Sequence, residues 1–177
     1  MQEKDSRQKD DFYPTPPEAV EALLNVEKFQ ETIWEPACGD GAISKVLKKH
    51  HYKTIDTDLN DFGFGIPRND FLVNYNTPVP NCDIITNPPY RLANEFVLKA
   101  IDLGVQKFAY LLRLSFLEGN KRRQTIFEST PPLKVYVFSK RLTIWRGDQE
   151  RNGSGTTAYA WFVWEKSFYD KPTVGWI

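Results

Sequence analysis

Gly39 and Gly41 stand between a strand-like run, TIWEPA (32–37), and an amphipathic one, GAISKVLKKH (41–50). In such a turn the backbone can approach a ligand closely, and the helix that follows offers unpaired N–H groups and the positive end of its dipole. Gly-x-Gly alone is a weak signal. Asp58 strengthens it, 17 residues after Gly41 at the end of the next apolar run, where a carboxylate accepts bonds from ribose hydroxyls in dinucleotide-type folds. Asp56 competes for that role from two residues away on the same strand face, but the strand-end position favours Asp58. The stretch EPACGDG (35–41) lacks the third glycine of the nicotinamide pattern and puts Glu35 where a pyrophosphate would lie. A carboxylate repels phosphates there. The pattern therefore points away from NAD and toward a ligand with a cationic or amine-bearing tail. A second stretch, CDIITNPPY (82–90), ends an apolar run in an amide, two prolines and an aromatic. Prolines fix φ and remove donors, so a rigid exit from a buried strand accounts for it as well as a site does.

These residues need elements to hold them. Thr15 as a cap, prolines in the first turn, and Val20, Leu23 and Leu24 at helical spacing predict a helix over 15–29. Strands are expected at 32–37, 52–58, 82–86 and 107–114, with helices at 41–50 and at 92–104, the latter ending on Gly104. A turn-rich connection fills 59–81, a further helix is expected over 120–129, and strands at 134–140 and 158–166 flank the charged, Gly-containing segment 146–156. Alternating strands and helices predict a parallel sheet covered on both faces, with the last pair as an antiparallel edge. Ligands bind beyond the carboxyl ends of such strands. Residues 35–41, 56–60, 69–71 and 87–90 occupy that place.

The chain has 177 residues, which suits one domain, 12–177, after a polar tail over 1–11. Lys plus Arg and Asp plus Glu both number 23, so any nucleic-acid contact must come from a local patch. Cys38 and Cys82 are too few for a disulfide framework, and no apolar run approaches the roughly 20 residues that span a membrane. The charged N-terminus lacks the apolar core of a secretory signal, so a cytoplasmic setting is expected. His50-His51 suits a helix C-terminus, and no metal-ligand spacing is evident.

EPACGDG resembles the S-adenosyl-L-methionine loop of class I methyltransferases. NPPY (87–90) resembles the (Asp/Asn/Ser)-Pro-Pro-(Tyr/Phe/Trp) motif of amino-methyltransferases, above all the DNA adenine-N6 enzymes. FYPTPPEAV (12–20) is similar to the family's N-terminal cofactor motif, and LLRLSFLEG, VYVFSKRL, WFVW and the closing GWI extend the likeness to small phage and prophage adenine methyltransferase-like proteins. The resemblance implies a Rossmann-like three-layer α/β/α sandwich. Its sheet would be seven-stranded and mostly parallel, with an antiparallel C-terminal hairpin strand. The implied cofactor is S-adenosyl-L-methionine and the implied partner is DNA, in the host cytoplasm if the chain is phage-encoded.

Residue by residue, the resemblance has the Asn87 side-chain oxygen and the Pro88 carbonyl accept the two hydrogens of an exocyclic amine. Pro88 and Pro89 hold them rigidly, Tyr90 stacks on the flipped base, and no general base is needed. Cofactor contacts carry over to Tyr13 and Thr15, to Glu35, Pro36, Ala37, Gly39 and Gly41, to Asp58 on the ribose, to Asp70 and Phe71 at the adenine, and to Asn87. Tyr13 serves equally as a packing aromatic, Asp70 as a turn residue and Phe71 as core. The family usually has a separate target-recognition domain, for which this chain has no room, so short or relaxed specificity is expected. Lys121, Arg122 and Arg123, and then Lys140, Arg141 and Arg146 around Trp145, are candidates for DNA contact or simply solvated surface. NPPY also resembles the motif of enzymes acting on RNA adenine or a protein glutamine amide. A non-catalytic phage accessory module is a third possibility.

Overall fold

The computed structural model describes residues 12–145 and 155–177. One sheet holds seven strands: β1 (Thr32–Glu35), β2 (Lys53–Asp56), β3 (Asp83–Thr86), β4 (Lys107–Arg113), β5 (Lys134–Val137), β6 (Tyr159–Glu165) and β7 (Thr173–Trp176). Their order is β2-β1-β3-β4-β6-β5-β7, and every neighbouring pair is parallel except the two that β6 makes with β4 and β5. Because β1 leads to β2 on one side and the chain then returns to β3 on the other, a crevice opens beyond their carboxyl ends.

Helices α1 (Pro17–Val26) and α2 (Ala42–Lys49) cover one face and α3 (Ala93–Asp102) the other. The sequence dictates this layering. All four residues of β3 are buried, as a central parallel strand requires, with Ile84 facing the α3 layer and Ile85 the α1–α2 layer. Trp34 and Ile33 divide the same way, while Ile43, Val46 and Leu47 form the apolar stripe of α2. Trp161 and Trp164 are core, whereas Trp176 is exposed on the edge. At the opposite end from the crevice, Glu27 follows α1 and accepts bonds from Lys107 Nζ (2.5 Å), Lys134 Nζ (2.9 Å) and Tyr136 Oη (2.6 Å), tying α1 to β4 and β5.

The structure departs from the sequence expectation in four places. Helix α1 starts two residues late, with Pro16 at its cap position and no side-chain cap, so Thr15 lies outside it. It ends at Val26, and Glu27 is already extended. The helix expected over 120–129 is one α-turn, Asn120–Arg122, followed by a π-turn, Arg123–Phe127, in which Glu128 N–H reaches back to Arg123 O and Ile126 is fully buried. The last hairpin is not the sheet edge: β7 lies parallel beside β5, and Gly175 admits the Tyr136 ring, which a Cβ would meet at 3.1 Å. His50 does cap α2, with Nε2 2.5 Å from Glu21. Among the described residues, no helix is long and apolar enough to cross a membrane.

Candidate active site

The carboxyl ends of β1, β2 and β3 open into a cleft whose walls include Glu35–Asp40, Asp58, Asp70 and the 87–90 segment. Gly39 and Gly41 both have positive φ, 52° and 78°, which L side chains rarely adopt. They also admit aromatics: a Cβ at Gly39 would come within 2.6 Å of the Phe12 ring, and one at Gly41 within 2.5 Å of Phe64. Phe12 stacks on Phe62 with ring centroids 4.5 Å apart. Phe12, Phe62 and Phe64 thus cover the glycine loop from the N-terminal arm and the β2–β3 connection. The sequence expectation missed them, although the alternation of Phe62, Gly63, Phe64 and Gly65 is a visible signal of rings laid over backbone.

The two aspartates separate cleanly. Asp56 turns toward α2, accepting from Ser44 Oγ (2.5 Å), Lys48 Nζ (2.9 Å) and Thr54 Oγ1 (2.9 Å). Asp58 lies past the strand end and lines the cleft, its carboxylate held by Gly39 N–H (2.9 Å) and Asn60 N–H (2.8 Å). Those bonds lock the glycine loop to the end of β2. Glu35 is buried at the end of β1 and accepts the Ser44 N–H, and its carboxyl also meets the Ser44 hydroxyl, whose single hydrogen cannot serve both it and Asp56. Burial pushes its carboxyl well above the usual range, and Asp56 and Asp58 push the same way against the Ser44 donors. A cation beside it would restore the ionised form. Burial likewise pushes the Cys38 thiol up to about 12, so Cys38 is not a nucleophile at neutral pH.

Asn87 is the most informative residue. Its Nδ2 donates to the Tyr13 carbonyl (3.1 Å) and to Thr15 Oγ1 (3.2 Å), while its Oδ1 is buried without a partner. Both N–H groups are thereby spent, which fixes the amide's orientation and leaves one bare acceptor. The neighbouring Pro89 carbonyl takes Leu92 N–H (2.8 Å), whereas the Pro88 carbonyl takes no hydrogen bond among the described residues. Tyr90 is half-buried. Its ring is tilted against Tyr13 (5.7 Å) and Tyr159 (5.9 Å), and the Arg113 guanidinium lies 4.7 Å over it. Its phenol is buried near Tyr159 and Asn87, and burial pushes its pKa well above the usual value.

Pro36 and Ala37 line the cleft, as does Asp70, whose carboxylate also accepts Leu72 N–H (3.0 Å) to cap a short 3-10 turn. Phe71 is core, against Trp34 (5.1 Å) and Phe96 (4.8 Å), and still forms part of the cleft floor. Tyr13 contributes its carbonyl to Asn87 and its ring to the Tyr90 cluster.

The two basic groups differ. Arg122 is consumed internally, by Asn94 Oδ1 (3.0 Å), the carbonyls of Ser115, Phe116 and Glu118, and the Phe116 ring; Arg123 pairs with Glu128 (2.9 Å). Lys121 is exposed. Lys140, Arg141 and Trp145 line a second groove, about 780 Å³, together with Lys45 and Lys49 of α2. Pro14 and Thr15 form a wall common to this groove and the cleft. Arg141 also donates to Thr156 O (2.7 Å). Arg146 and most of the charged segment around it lie outside the described residues, as does the 1–11 tail.

No family model matches the chain, and no curated protein matches it. Solved structures do. A chain assigned as a modification subunit of a type I restriction enzyme from Vibrio vulnificus YJ016 superposes with a TM-score of 0.64 at 13% identity, over 98% of this chain and 48% of the other. This chain therefore spans about half the length of that subunit. A chain assigned as an RNA methyltransferase from Pyrococcus horikoshii gives 0.67 at 14% identity, over 92% and 91% of the two chains. A dimethyladenosine transferase from Plasmodium falciparum gives 0.55 at 12% identity, over 85% and 62%. At these identities the likeness establishes the fold: a class I methyltransferase sandwich with a seven-stranded, mostly parallel sheet.

Proposed function

We propose that this chain is an S-adenosyl-L-methionine-dependent methyltransferase acting on the exocyclic N6 amine of adenine in DNA, with short or relaxed sequence specificity. The observation that carries the proposal is the orphaned, buried Oδ1 of Asn87, fixed by the donations of Nδ2 to Tyr13 and Thr15. Beside it stands the unengaged Pro88 carbonyl. Two acceptors on a rigid turn take the two N–H groups of a planar amine and aim its lone pair into the cleft. They also stabilise the positive charge that grows on nitrogen. S-adenosyl-L-methionine, when bound, supplies an electrophilic methyl group. Asp58 suits its ribose hydroxyls, and Glu35 suits the positive end of its methionine part. The methylated amine sheds its proton to water, so no side-chain base is required.

Lys45, Lys49, Lys140 and Arg141, with Trp145 among them, support a nucleic acid over a peptide amide, because cations beside a stacking aromatic suit a phosphate backbone and its bases. RNA adenine is the second reading, favoured by the RNA methyltransferase among the structural neighbours. We assign the described residues to one methyltransferase domain, 12–177, built on the single seven-stranded sheet.

The test is incubation with methyl-labelled cofactor and DNA, RNA or a glutamine peptide, followed by digestion to monomers. Label in N6-methyldeoxyadenosine is expected, falling at least about a hundredfold in Asn87→Ala, as for loss of a transition-state acceptor. Label in the ribonucleoside would move the assignment to RNA. Bound cofactor with no labelled nucleoside would overturn it.

A further inference from the structure

Arg113 ends β4, opposite Tyr159 of β6, and projects onto the same side of the sheet as Tyr90. Its guanidinium makes no hydrogen bond or ion pair among the described residues, and the residue is exposed at the mouth of the site. What it touches is the ring of Tyr90, at 4.7 Å. The other neighbours of that ring, Tyr13 and Tyr159, meet it at tilts of 41° and 40° and belong to the packed wall. The Tyr90 hydroxyl is buried inward, so the ring cannot turn away without dragging a polar group through the core. Arg113 thus covers one face of a ring on which a flat substrate would stack.

We propose that Arg113 is a substrate-binding residue that exchanges places with the target base. Against Tyr90 it holds the place that the base takes; on base entry it swings outward, and its forked donors take the phosphate of the flipped nucleotide. Arginine suits both positions, since its planar, weakly hydrated guanidinium stacks on aromatics and also grips phosphate bidentately. The assignment rests on the adenine reading above and sharpens it. A glutamine amide in a peptide brings no phosphate for Arg113, whereas either nucleic acid does.

The experiment measures affinity for a fluorescein-labelled, adenine-containing single-stranded oligonucleotide, in deoxy and ribo forms, across a salt series with S-adenosylhomocysteine present. Wild type is compared with Arg113→Ala, Arg113→Met and Arg113→Lys. One lost phosphate contact lowers the slope of log affinity against log salt by about 0.7. The expected result is that loss in the Ala and Met variants, with affinity down about tenfold, retention of the slope in Lys, and unchanged cofactor binding in all three. An unchanged slope in Arg113→Ala, or wild-type affinity in Arg113→Met, would reduce Arg113 to packing on Tyr90 and overturn the proposal. So would a wild-type protein that binds neither oligonucleotide. If the slope responds but no methyl group is transferred, the methyltransferase assignment fails while Arg113 stands. If transfer occurs and the slope does not respond, the reverse holds.

Discussion

Asn87 has two N–H groups and an oxygen, and only the oxygen is bare. The residue type was legible in NPPY, but not what orients it. Thr15 reads locally as a helix cap, the commonest use of a threonine before a helix. Its hydroxyl instead serves an amide 72 positions away, a pairing that only the fold creates. Removing that acceptor leaves the amide on one anchor, free to flip its N–H₂ into the place of the oxygen. Thr15→Val, nearly isosteric, should therefore lower kcat about tenfold, corresponding to the ~1.4 kcal/mol of one buried hydrogen bond. Thr15→Ser should restore most of it. A Thr15 that acted mainly on the cofactor would show the loss in cofactor KM at unchanged kcat. Separate titration of cofactor and substrate distinguishes the two.

At the scale of elements, the strands and helices around the crevice were legible because their apolar patterns are strong: four consecutive buried residues in β3, a clean stripe in α2. The elements that escaped have patterns that compete with other structures. In PTVGW, Pro172 and Gly175 argue against a strand, yet the glycine is there because the Tyr136 ring leaves no space for a side chain. Helix α1 is anchored by a cluster that no local pattern announces. Glu27 is buried and gathers Lys107, Lys134 and Tyr136 from two strands. Burial acts to raise its carboxyl pKa, but bonds from Lys107, Tyr136 and Lys134 outweigh it and hold the value below its ordinary 4.5. A carboxylate whose folded value is depressed stabilises the fold above its unfolded pKa, and that contribution is lost as pH falls through the folded value. Glu27→Gln should thus cost about 1.5–3 kcal/mol at pH 7, by removing the charge-assisted bonds that two partly exposed lysines make to one buried carboxylate. In parallel urea melts, the deficit should shrink as the pH drops below about 4.5. A deficit constant over that range would mean that the carboxylate charge contributes nothing.

Across the whole molecule, the sheet order separates two tasks. The glycine loop, Asp58 and Asn87 hang on β1, β2 and β3, whereas the segment with Lys140, Arg141 and Trp145 leaves β5, beyond β4 and β6. The cleft's lining could be read from sequence because its residues lie in compact motifs at strand ends. The groove could not, because it joins α2 to a segment about 100 positions later. Strand β7 props that segment: Ile177 exchanges backbone bonds with Val137 (3.0 Å) and Ser139 (2.7 Å), and lines the groove. Removing residues 172–177 exposes the β5 edge and frees the segment without touching β1–β3. The expected outcome is a protein that binds S-adenosyl-L-methionine within about twofold of wild type yet loses about tenfold in oligonucleotide affinity, some 1.4 kcal/mol. Calorimetry for the cofactor and fluorescence anisotropy for the oligonucleotide measure the two separately. An equal loss of both would mean that the edge strand supports the sheet as a unit. Oligonucleotide affinity left intact would remove the groove from the substrate path and leave Asn87, Pro88, Tyr90 and Arg113 as the contacts proposed for it.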